Sequence, residues 1–496
     1  GVGMWFMLFN LGLMYYFLPQ QLNKPIYSYS LGILAFWVQI LFYTLIGTHH
    51  FIFSAIPWWL QTVAIVGSAG MIIPVVAGTT NFLMTFKGSW HKLSGSYTLP
   101  FYLIGIIFYF TGSLQGTAEA FKFTNLIWHF TDFTVAHSHL TMYGIICFML
   151  WGFIYTVVPR LTGKEPPQIT VGAHFWLALI GLLFYTFPLM YGSTLRGLMW
   201  MEGTKSFIES VELMAPYWLW RAIGGSLMWL SHILFAYNFY VMVKKKEEIE
   251  IPSSPKDILN AKVELGLFVG LTIVVAIMPA INNQENNAPL PGYEPLTQEA
   301  YLGKKSFIAN GCVACHTQQV RNVDMDNVWG SRPGIPADYA GISRTDFWRN
   351  TATLMGTERT GPDLTNIGSR QPSLAWNLLH LYQPRAVVEK SIMPAYPWLF
   401  ELKNELGEKD VEVVVPDAYR KGISGRIVAT QEALQLVAYL QSLKQTPLPD
   451  GKLPMEFLYK KKEIPVIVNG NNANLPDGKL LYTNNCMSCH QANGEG

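Results

Sequence analysis

Long hydrophobic segments fill the first half of the chain and are rare in the second. Seven such segments precede residue 246 and an eighth follows it, each close to the roughly 20 residues that cross a bilayer as a helix. They lie at about residues 4–18, 31–51, 59–84, 98–118, 133–158, 172–192, 215–243 and 263–281. The later residues are polar and interrupted by prolines. We therefore predict an all-α protein, in which a polytopic membrane helix bundle precedes a single-span anchor and soluble helical domains.

Basic residues orient the predicted spans. Most of them fall in the loops on one side of the membrane, at Lys24, Lys87, Lys92, Arg160, Lys164 and Lys244 to Lys246. The loops on the other side contain only Lys122, Arg196 and Lys205. Because basic loops stay in the cytoplasm, the first side is predicted to be cytoplasmic, and the eighth span delivers the residues after 282 to the outside. Between the sixth and seventh spans, Glu202, Glu209 and Glu212 are predicted to face outer water.

Composition also divides the chain into segments. These are a bundle at 1–246, a stretch at 247–295 with a cytoplasmic linker, the anchor and an outer linker, a soluble domain at 296–445, a linker at 446–476 and the start of a second domain at 477–496. An amphipathic helix that starts near Thr430 is predicted to close the first soluble domain. It carries Leu436, Leu440 and Leu443 on one face, the spacing of a helix packed on a core.

The formal net charge is +2, which gives no indication of nucleic acid binding. No secretory signal peptide is visible. Gly1 is not an initiator methionine and opens directly onto a hydrophobic segment, and Gly496 follows closely after a motif. We expect the sequence to begin and end inside a longer protein.

Four of the five cysteines fall into two Cys-x-x-Cys-His motifs, at Cys312, Cys315 and His316 and at Cys486, Cys489 and His490. In this motif the two thiols attach a c-type haem and the histidine binds its iron. A zinc knuckle and a thioredoxin-like redox pair are the alternatives. Zinc would need further Cys or His pairs nearby, and the sequence offers none. We therefore predict at least two haem c groups outside the membrane.

The iron of the first haem c needs a ligand opposite His316. We predict Met393 for this position, because a thioether ligand raises the reduction potential of the iron. Met325 and Met355 are competing candidates, although each would more often be a packing residue.

Two histidine pairs lie within the hydrophobic half. His137 and His139 are two residues apart in a predicted helix and point to nearly opposite sides of it, so one helix can serve two metal centres. His49 and His50 end the second span at a similar depth, and Tyr43 precedes His50 by two helical turns. Because ionisable groups inside a membrane are usually functional, the pairs indicate a buried redox-metal site. The histidines without recognisable partners are predicted to be packing residues: His91, His174 and His232.

Several of these stretches resemble the catalytic subunit of cbb3-type cytochrome c oxidases, the C family of haem–copper oxidases. The resemblance is carried by Tyr43 and by residues 14–19, 48–50, 56–62, 130–139, 209–212 and 221–225. The later residues resemble the membrane-anchored haem c subunit of the same oxidases, through the first Cys-x-x-Cys-His motif, residues 359–364 and residues 393–399. The resemblance implies that the two subunits are fused and that a further cytochrome c unit follows.

The resemblance also implies a role for each residue of the histidine pairs. His49 and His50 would be ligands of the copper ion called CuB, and His137 would be the proximal ligand of the high-spin haem b3. His139 would be one axial ligand of the low-spin haem b. Tyr43 would be cross-linked to the third copper histidine, which would fall just before the first residue of this sequence.

One departure from the family pattern concerns the fourth span. The family commonly has a glutamate where this sequence has Gln115. Glu119, one turn further along, is a candidate substitute. Between the fourth and fifth spans, Trp128, His129 and Asp132 are suited equally to binding haem propionates and to structuring a loop.

The family resemblance implies a terminal respiratory oxidase of the bacterial inner membrane, with its haem c domains on the periplasmic side. Such an enzyme reduces O₂ to water with electrons from cytochrome c or a similar donor, is coupled to proton translocation, and assembles with other oxidase subunits that carry further haem c. The alternative is a bacterial nitric oxide reductase with haem b and non-haem iron. Tyr43 argues against this alternative, because those relatives generally lack the tyrosine. A non-catalytic electron relay would have no use for His49, His50 and Tyr43 together.

Overall fold

The computed structural model describes residues 2–244, 289–340, 354–420 and 422–458, together with scattered positions between 262 and 281. The chain divides into two compact units. The bundle unit comprises Gly1–Ile52, Ile56–Leu198 and Leu213–Glu285, and the C-terminal unit comprises Phe53–Ala55, Met199–Glu212 and Asn286–Gly496. The second Cys-x-x-Cys-His motif, with Cys486, Cys489 and His490, lies outside the described residues, as do residues 459–476 of the predicted second linker.

Helices account for nearly all of the described chain up to residue 243. They are α1 (Val2–Leu22), α2 (Tyr29–Ile46), α3 (Trp58–Gly70), α4 (Ile72–Phe86), α5 (Leu99–Ala120), α6 (Lys122–Trp128), α7 (Asp132–His139), α8 (Phe148–Thr162), α9 (Gln168–Glu202) and α10 (Phe207–Val243). Short 3₁₀ turns at Gly47–Phe51 and Trp90–Leu93 follow α2 and α4, and a π-helical segment, Leu140–Cys147, joins α7 to α8.

Six stretches are long and apolar enough to cross a membrane. They are Tyr29–Phe51, Trp58–Phe86, Leu99–Ala120, Asp132–Thr162, Gln168–Glu202 and Phe207–Val243. They correspond in order to the second to seventh predicted spans. The first predicted span, 4–18, lies inside α1, and the eighth, 263–281, is only partly described. The chain is thus a helical, multi-pass membrane protein.

The sixth and seventh spans extend further than predicted, because polar residues at their ends continue the helices. Glu202 is the last residue of α9, and Glu209 stands in the first turn of α10. The backbone N–H of Ser206 donates to Glu209 Oε2 over 2.7 Å, and the N–H of Glu209 donates to Ser206 Oγ over 3.3 Å. This reciprocal capping box starts the helix before the hydrophobic run begins. Glu209 and Glu212 therefore belong to α10, which begins before the predicted seventh span, and that they face outer water stays a prediction.

Two glycines allow α9 and α10 to pack with their backbones in contact. A Cβ atom on Gly181 would stand 2.8 Å from the carbonyl oxygen of Gly224, and one on Gly224 would stand 2.5 Å from the backbone nitrogen of Tyr185. Helices in lipid are not driven together by the hydrophobic effect, so small residues at such crossings stabilise the pair by letting the backbones pack closely. The crossing fixes Tyr185, which belongs to a candidate site.

The C-terminal unit contains five helices and one small sheet among its described residues beyond 289. The elements are α11 (Gln298–Ala309), α12 (Ile367–Arg370), α13 (Leu374–Tyr382), β1 (Phe400–Lys403), α14 (Asp417–Arg420), β2 (Arg426–Ala429) and α15 (Gln431–Ser442). The strands pair antiparallel, with Phe400 opposite Ala429. This hairpin was not predicted.

The predicted helix near Thr430 is confirmed as α15. The Thr430 hydroxyl accepts a hydrogen bond from the N–H of Ala433 and caps the helix. Leu436 and Leu443 are buried. On the facing helix α11, a Cβ atom at Gly303 would collide with the carbonyl of Gln435. The two helices therefore form the closely packed core of this unit.

Candidate haem and copper sites

His49 and His50 lie in the 3₁₀ turn that follows α2. Their Nε2 atoms are 3.1 Å apart. Two imidazole nitrogens bound to one metal at about 2.0 Å each are separated by roughly 3 Å in tetrahedral or square geometry. The turn therefore presents two ligand atoms at the spacing of a shared metal ion.

The other ring nitrogen of His49 is held by α3. His49 Nδ1 lies 2.8 Å from Ser68 Oγ, and the Ser68 hydroxyl donates to the carbonyl of Ala64 over 2.8 Å. Because the serine proton is used in that bond, Ser68 Oγ accepts from His49 Nδ1–H. The tautomer with a lone pair on Nε2 is the one that binds metals, and a partner on Nδ1 is the usual support for it.

His137, on α7, has the same arrangement. Its Nδ1 lies 3.4 Å from Oε1 of Gln115, whose Nε2 contacts the sulphur of Met190 over 3.3 Å. The carbonyl oxygen of the amide accepts the Nδ1 proton, so Nε2 of His137 keeps its lone pair. Gly116 leaves room for the ring, because a Cβ there would stand 3.3 Å from His137 Cε1 and Nε2.

His139 turns toward a different neighbour. Its Nδ1 donates to the backbone carbonyl of Val135 over 2.8 Å, which again leaves Nε2 as the ligand atom. The ring stacks on Tyr185 with centroids 4.3 Å apart and planes 29° apart. Side chains two positions apart on a helix point in directions about 200° apart, so His137 and His139 can serve different metals.

His137 lies close to the His49–His50 pair. His137 lies within electrostatic range of both His49 and His50. The hydroxyl of Thr117 on α5 donates to the Ser68 carbonyl over 3.0 Å and joins α5 to α3. Tyr43 packs against the buried core of the bundle, next to Gln39. The described residues contain no group of three or more His, Cys, Asp or Glu placed to hold a metal ion, so His49 and His50 offer a pair of nitrogen ligand atoms here.

The first Cys-x-x-Cys-His motif follows α11 as a tight turn. The N–H of His316 donates to the carbonyl of Cys312 over 3.0 Å. Cys312 is buried and Cys315 is exposed, and neither forms a disulfide bond within the described residues. The motif thus closes into a single turn, which keeps its two cysteines and its histidine close together, as covalent attachment of a haem requires.

A second segment, around Pro362, orients the His316 ring. His316 Nδ1 donates to the Pro362 carbonyl over 2.7 Å, so its Nε2 is free for iron. Burial lowers the pKa of His316, which keeps the imidazole neutral and able to coordinate. Only glycine fits at position 361, because a Cβ there would collide with the ring. These residues fit a c-type haem.

Met393 lies in the segment after α13 and packs against the core of the C-terminal unit. Its N–H donates to Ser391 Oγ over 3.2 Å. Three residues later, the N–H of Tyr396 donates to the Leu381 carbonyl over 2.9 Å and ties the segment to α13. The competing Met325 already contacts Arg321 Nη2 through its sulphur, over 3.6 Å. Met393 therefore stays the predicted second ligand.

Two family models match this chain. Residues 1–227 match the family described as cytochrome c and quinol oxidase polypeptide I, and residues 256–423 match the family described as cytochrome c oxidase, mono-haem subunit/FixO. The first part is 35% identical, over 248 residues, to the cbb3-type cytochrome c oxidase subunit CcoN1 of Stutzerimonas stutzeri. The chain fuses part of a cbb3-type catalytic subunit to a mono-haem subunit.

Other bacterial relatives give the same picture. The cytochrome c oxidase subunit 1 homologue, bacteroid, of Bradyrhizobium diazoefficiens is 35% identical over 251 residues, which are 49% of this chain and 46% of that protein. Cytochrome c oxidase subunit 1 of Rhodobacter capsulatus is 34% identical over 244 residues, or 48% and 46% of the two chains. The Stutzerimonas match covers 48% of this chain and 52% of that protein. The cbb3-type chain thus spans about half the length of the curated relatives it matches.

A buried ion-pair cluster supports α7 of the cbb3-type chain. Asp132 lies 3.1 Å from Arg221 Nη1 and 3.6 Å from Arg196 Nη1, and it accepts a bond from Trp218 Nε1 over 3.2 Å. Arg196 belongs to α9 and is 1% exposed, so its assignment to an outer loop was wrong. An arginine can be buried there because Asp132 compensates its charge. Asp132 thus has a structural role, because its ion pairs and hydrogen bond join α7 to α9 and α10.

A buried hydrogen-bond network around His174 was not predicted from the sequence. His174 has a partner after all: its Nδ1 accepts from the Tyr155 hydroxyl over 2.9 Å, and Asn238 Nδ2 donates to that hydroxyl over 3.0 Å. Three helices are joined by these bonds. The only signal in the sequence was the occurrence of polar residues inside apolar runs, which does not reveal the pairing.

The haem c part of the cbb3-type chain has a fully buried cluster of two arginines and two aspartates. Arg359 contacts Asp326 over 2.8 Å and Asp363 over 3.7 Å, and Arg321 contacts Asp326 over 3.0 Å. Burial alone would raise the pKa of Asp326, but Arg321 and Arg359 hold it well below its usual range. Asp363 also accepts from the Thr317 hydroxyl over 2.6 Å. The cluster therefore clamps the Pro362 segment onto the residues that follow His316.

Proposed function

We propose that the cbb3-type chain supplies the dinuclear centre and an electron-entry haem of a terminal oxidase that reduces O₂ to water with electrons from cytochrome c. The observation that carries the proposal is the 3.1 Å separation of His49 Nε2 and His50 Nε2, and the electrostatic interaction of His50 with His137 supports it. The Nδ1 partners of His49 and His137 leave Nε2 of each ring available to a metal, and the spacing of the His49 and His50 Nε2 atoms suits one metal ion. When bound, copper and haem iron supply the electrons and open coordination positions for O₂.

The cofactors follow from the donor sets. His49 and His50 would bind the copper ion CuB, His137 the iron of the high-spin haem b3, and His139 that of the low-spin haem b. The haem c of the C-terminal unit would be held by Cys312, Cys315, His316 and Met393, and a further one by Cys486, Cys489 and His490. The distinct partners of His137 and His139 support their assignment to two different haems.

Protons would enter from the predicted cytoplasmic side. Asn81 of α4 donates to Tyr15 over 3.3 Å and to the Ser28 carbonyl over 2.8 Å. Further along α2, Gln39 is completely buried and lies next to Tyr43. Tyr43 follows one turn later. We infer that these groups and intervening water carry protons to Tyr43, which donates a proton and an electron to the reaction.

A buried carboxyl group, that of Glu119, lies near the predicted outer end of α5. Glu119 lies one turn from Gln115, on the same face of α5. Its side chain is 9% exposed, and its Oε1 has no hydrogen-bond partner among the described residues. An ionisable side chain in this setting inside a membrane is a functional candidate. We infer that Glu119 takes over the role that the resemblance gives to a glutamate at position 115.

The alternative, a nitric oxide reductase, is not favoured. The family descriptions and the curated relatives are named as cytochrome c oxidases, and the chain has Tyr43. We propose further that the C-terminal unit lies on the periplasmic side, where c-type haem is attached, and that other oxidase subunits complete the enzyme.

Replacing Tyr43 by phenylalanine tests this function. In the full-length protein with its partner subunits, Tyr43→Phe should abolish O₂ consumption from reduced cytochrome c, because the ring can no longer supply a proton. Tyr16→Phe is the matched control, since Tyr16 is 62% exposed on α1, and it should leave the rate unchanged. Undiminished O₂ consumption by Tyr43→Phe would refute the role of Tyr43, and a wild-type protein that reduces nitric oxide but not O₂ would support the alternative.

A further inference from the structure

The structure assigns a haem-binding role to His380: we infer that its Nδ1–H donates a hydrogen bond to a propionate of the haem c attached at Cys312 and Cys315. The inference rests on the proposed haem c of this unit. It does not depend on what happens at the membrane-embedded histidines, because it concerns only the C-terminal unit.

His380 is held rigidly on α13. Ser373 caps this helix by accepting a hydrogen bond from the N–H of Trp376. One turn later, the His380 ring stacks on the Trp376 indole with centroids 4.6 Å apart and planes only 8° apart. The stack fixes the plane of the imidazole and thus the direction of its two nitrogens. A ring whose orientation is fixed by packing is preorganised to form a directional hydrogen bond.

The Nδ1 atom of this ring has no hydrogen-bond partner. It is buried from solvent and no described group reaches it. A buried polar atom without a partner costs about 1–3 kcal/mol, so native proteins rarely keep one unless a ligand or water completes it. The orphaned atom therefore points to a missing acceptor at this position of the C-terminal unit.

His380 lies close to the segments that carry the two predicted iron ligands. On one side, the carbonyl of the next residue, Leu381, holds the segment that carries Met393 through the bond from Tyr396 N–H. On the other side, His316 lies within electrostatic range of the His380 ring. A side chain that is near both ligand segments lies beside the haem that joins them.

A propionate is the part of the haem that needs such a donor. The two propionates are the negatively charged groups of the macrocycle, and a charge-assisted hydrogen bond to a carboxylate is about twice as strong as a neutral one. The iron itself has His316 and the predicted Met393 as ligands. A neutral imidazole can donate through Nδ1 without burying a further charge.

The test is a redox titration of haem c in the full-length protein, followed by its absorbance. An Asn side chain places its terminal atoms where the Nδ1 of histidine stands, whereas Gln extends to the position of Nε2. We therefore compare His380→Asn, His380→Gln and His380→Leu. Tyr382→Phe, which removes only a hydroxyl from the same helix, is the matched control.

We expect His380→Leu and His380→Gln to lower the reduction potential of haem c, because an unpaired propionate stabilises the ferric iron. A tenfold shift of the reduction equilibrium corresponds to 59 mV for one electron, and we expect a shift of up to about that size. His380→Asn and Tyr382→Phe should stay close to wild type, and the optical signature of methionine ligation should persist in all variants.

Three results would overturn the inference. They are an unchanged potential in both His380→Leu and His380→Gln, an equal lowering in His380→Asn and His380→Gln, and loss of the axial-ligand signature, which would make His380 an iron ligand. If His380→Leu fails to fold, the comparison of Asn with Gln still decides. The outcome is independent of O₂ reduction, because the potential can be measured in a protein that does not consume O₂.

Discussion

At the residue scale, the candidate sites are defined by what holds the Nδ1 atom of each imidazole. Ser68 holds His49 and Gln115 holds His137, whereas backbone carbonyls of Val135 and Pro362 hold His139 and His316. Backbone acceptors survive any substitution of their own side chain. The serine and the glutamine do not, so the membrane site should respond strongly to changes at these two positions.

Ser68→Ala should weaken copper binding about 10- to 100-fold, the usual effect of removing the partner of a metal-bound histidine. The loss follows because His49 Nδ1–H no longer has an acceptor that fixes the tautomer. Copper content per polypeptide, measured across a chelator series, checks this. Ser226→Ala is the control, because that exposed serine only donates to the carbonyl of Ala222 in its own helix. Equal copper retention in the two variants would contradict the role of Ser68.

The sequence predicted the histidines of these sites but not their supports. His49, His50, His137, His139 and His316 could be recognised because pairs and motifs are local patterns. Ser68 is 19 residues from His49, and Gln115 is 22 residues from His137. A contact between distant residues depends on how the helices pack, which the sequence of one chain does not reveal.

At the element scale, the crossing of α9 and α10 positions the ring that faces His139. Gly224→Val should destabilise the bundle by about 1–3 kcal/mol and displace Tyr185, because the new side chain would collide with the Tyr185 backbone. We expect loss of the low-spin haem b, measured by its absorbance and by haem content. Gly172→Val is the control, since nothing lies within 4 Å of a Cβ at that position of α9. Normal haem b in Gly224→Val would show that the crossing does not support the site.

The buried cluster of the C-terminal unit makes its stability depend on pH. The pKa of Asp326 is depressed in the folded state, so its contribution is present above the unfolded value of about 3.9 and is lost as the pH falls below it. Asp326→Asn should cost about 3–5 kcal/mol at neutral pH, because two arginines stay buried with less compensation. Thermal unfolding of the full chain, followed by haem c absorbance, measures both effects.

The control for this variant is Asp410→Asn. Asp410 pairs with Lys403 over 2.7 Å near the surface, where screening by solvent makes an ion pair contribute little to stability. An equal loss in the two variants would contradict the importance of the buried cluster. So would an Asp326→Asn protein whose acid sensitivity matches that of the wild type.

Element boundaries were predictable only where the hydrophobic pattern decides them. The second to seventh spans were found, yet α9 continues to Glu202, and α10 begins before its hydrophobic run because Glu209 and Ser206 cap each other. The helix α15 was predicted from its leucine spacing, with a start near Thr430. The β1–β2 hairpin was missed, because strands of four residues offer too short a pattern to distinguish from loop.

At the scale of the whole molecule, one polypeptide carries the two histidine pairs of the bundle unit and the Cys-x-x-Cys-His motif at Cys312. The polypeptide I match at 1–227 and the mono-haem match at 256–423 stand in one chain. Subunits that meet by diffusion need an interface to keep their stoichiometry, whereas a fused pair is fixed at one to one. The arrangement therefore predicts equal amounts of the membrane site and of the first haem c.

The metal content and the copper X-ray absorption of the full-length oxidase test whether His49 and His50 bind copper. We predict one copper ion per polypeptide, bound by imidazole nitrogens at about 2.0 Å, and loss of that copper in His49→Ala and in His50→Ala. His91→Ala, in the turn Trp90–Leu93, should retain it. A protein without copper, or with non-haem iron in its place, would contradict the oxidase assignment.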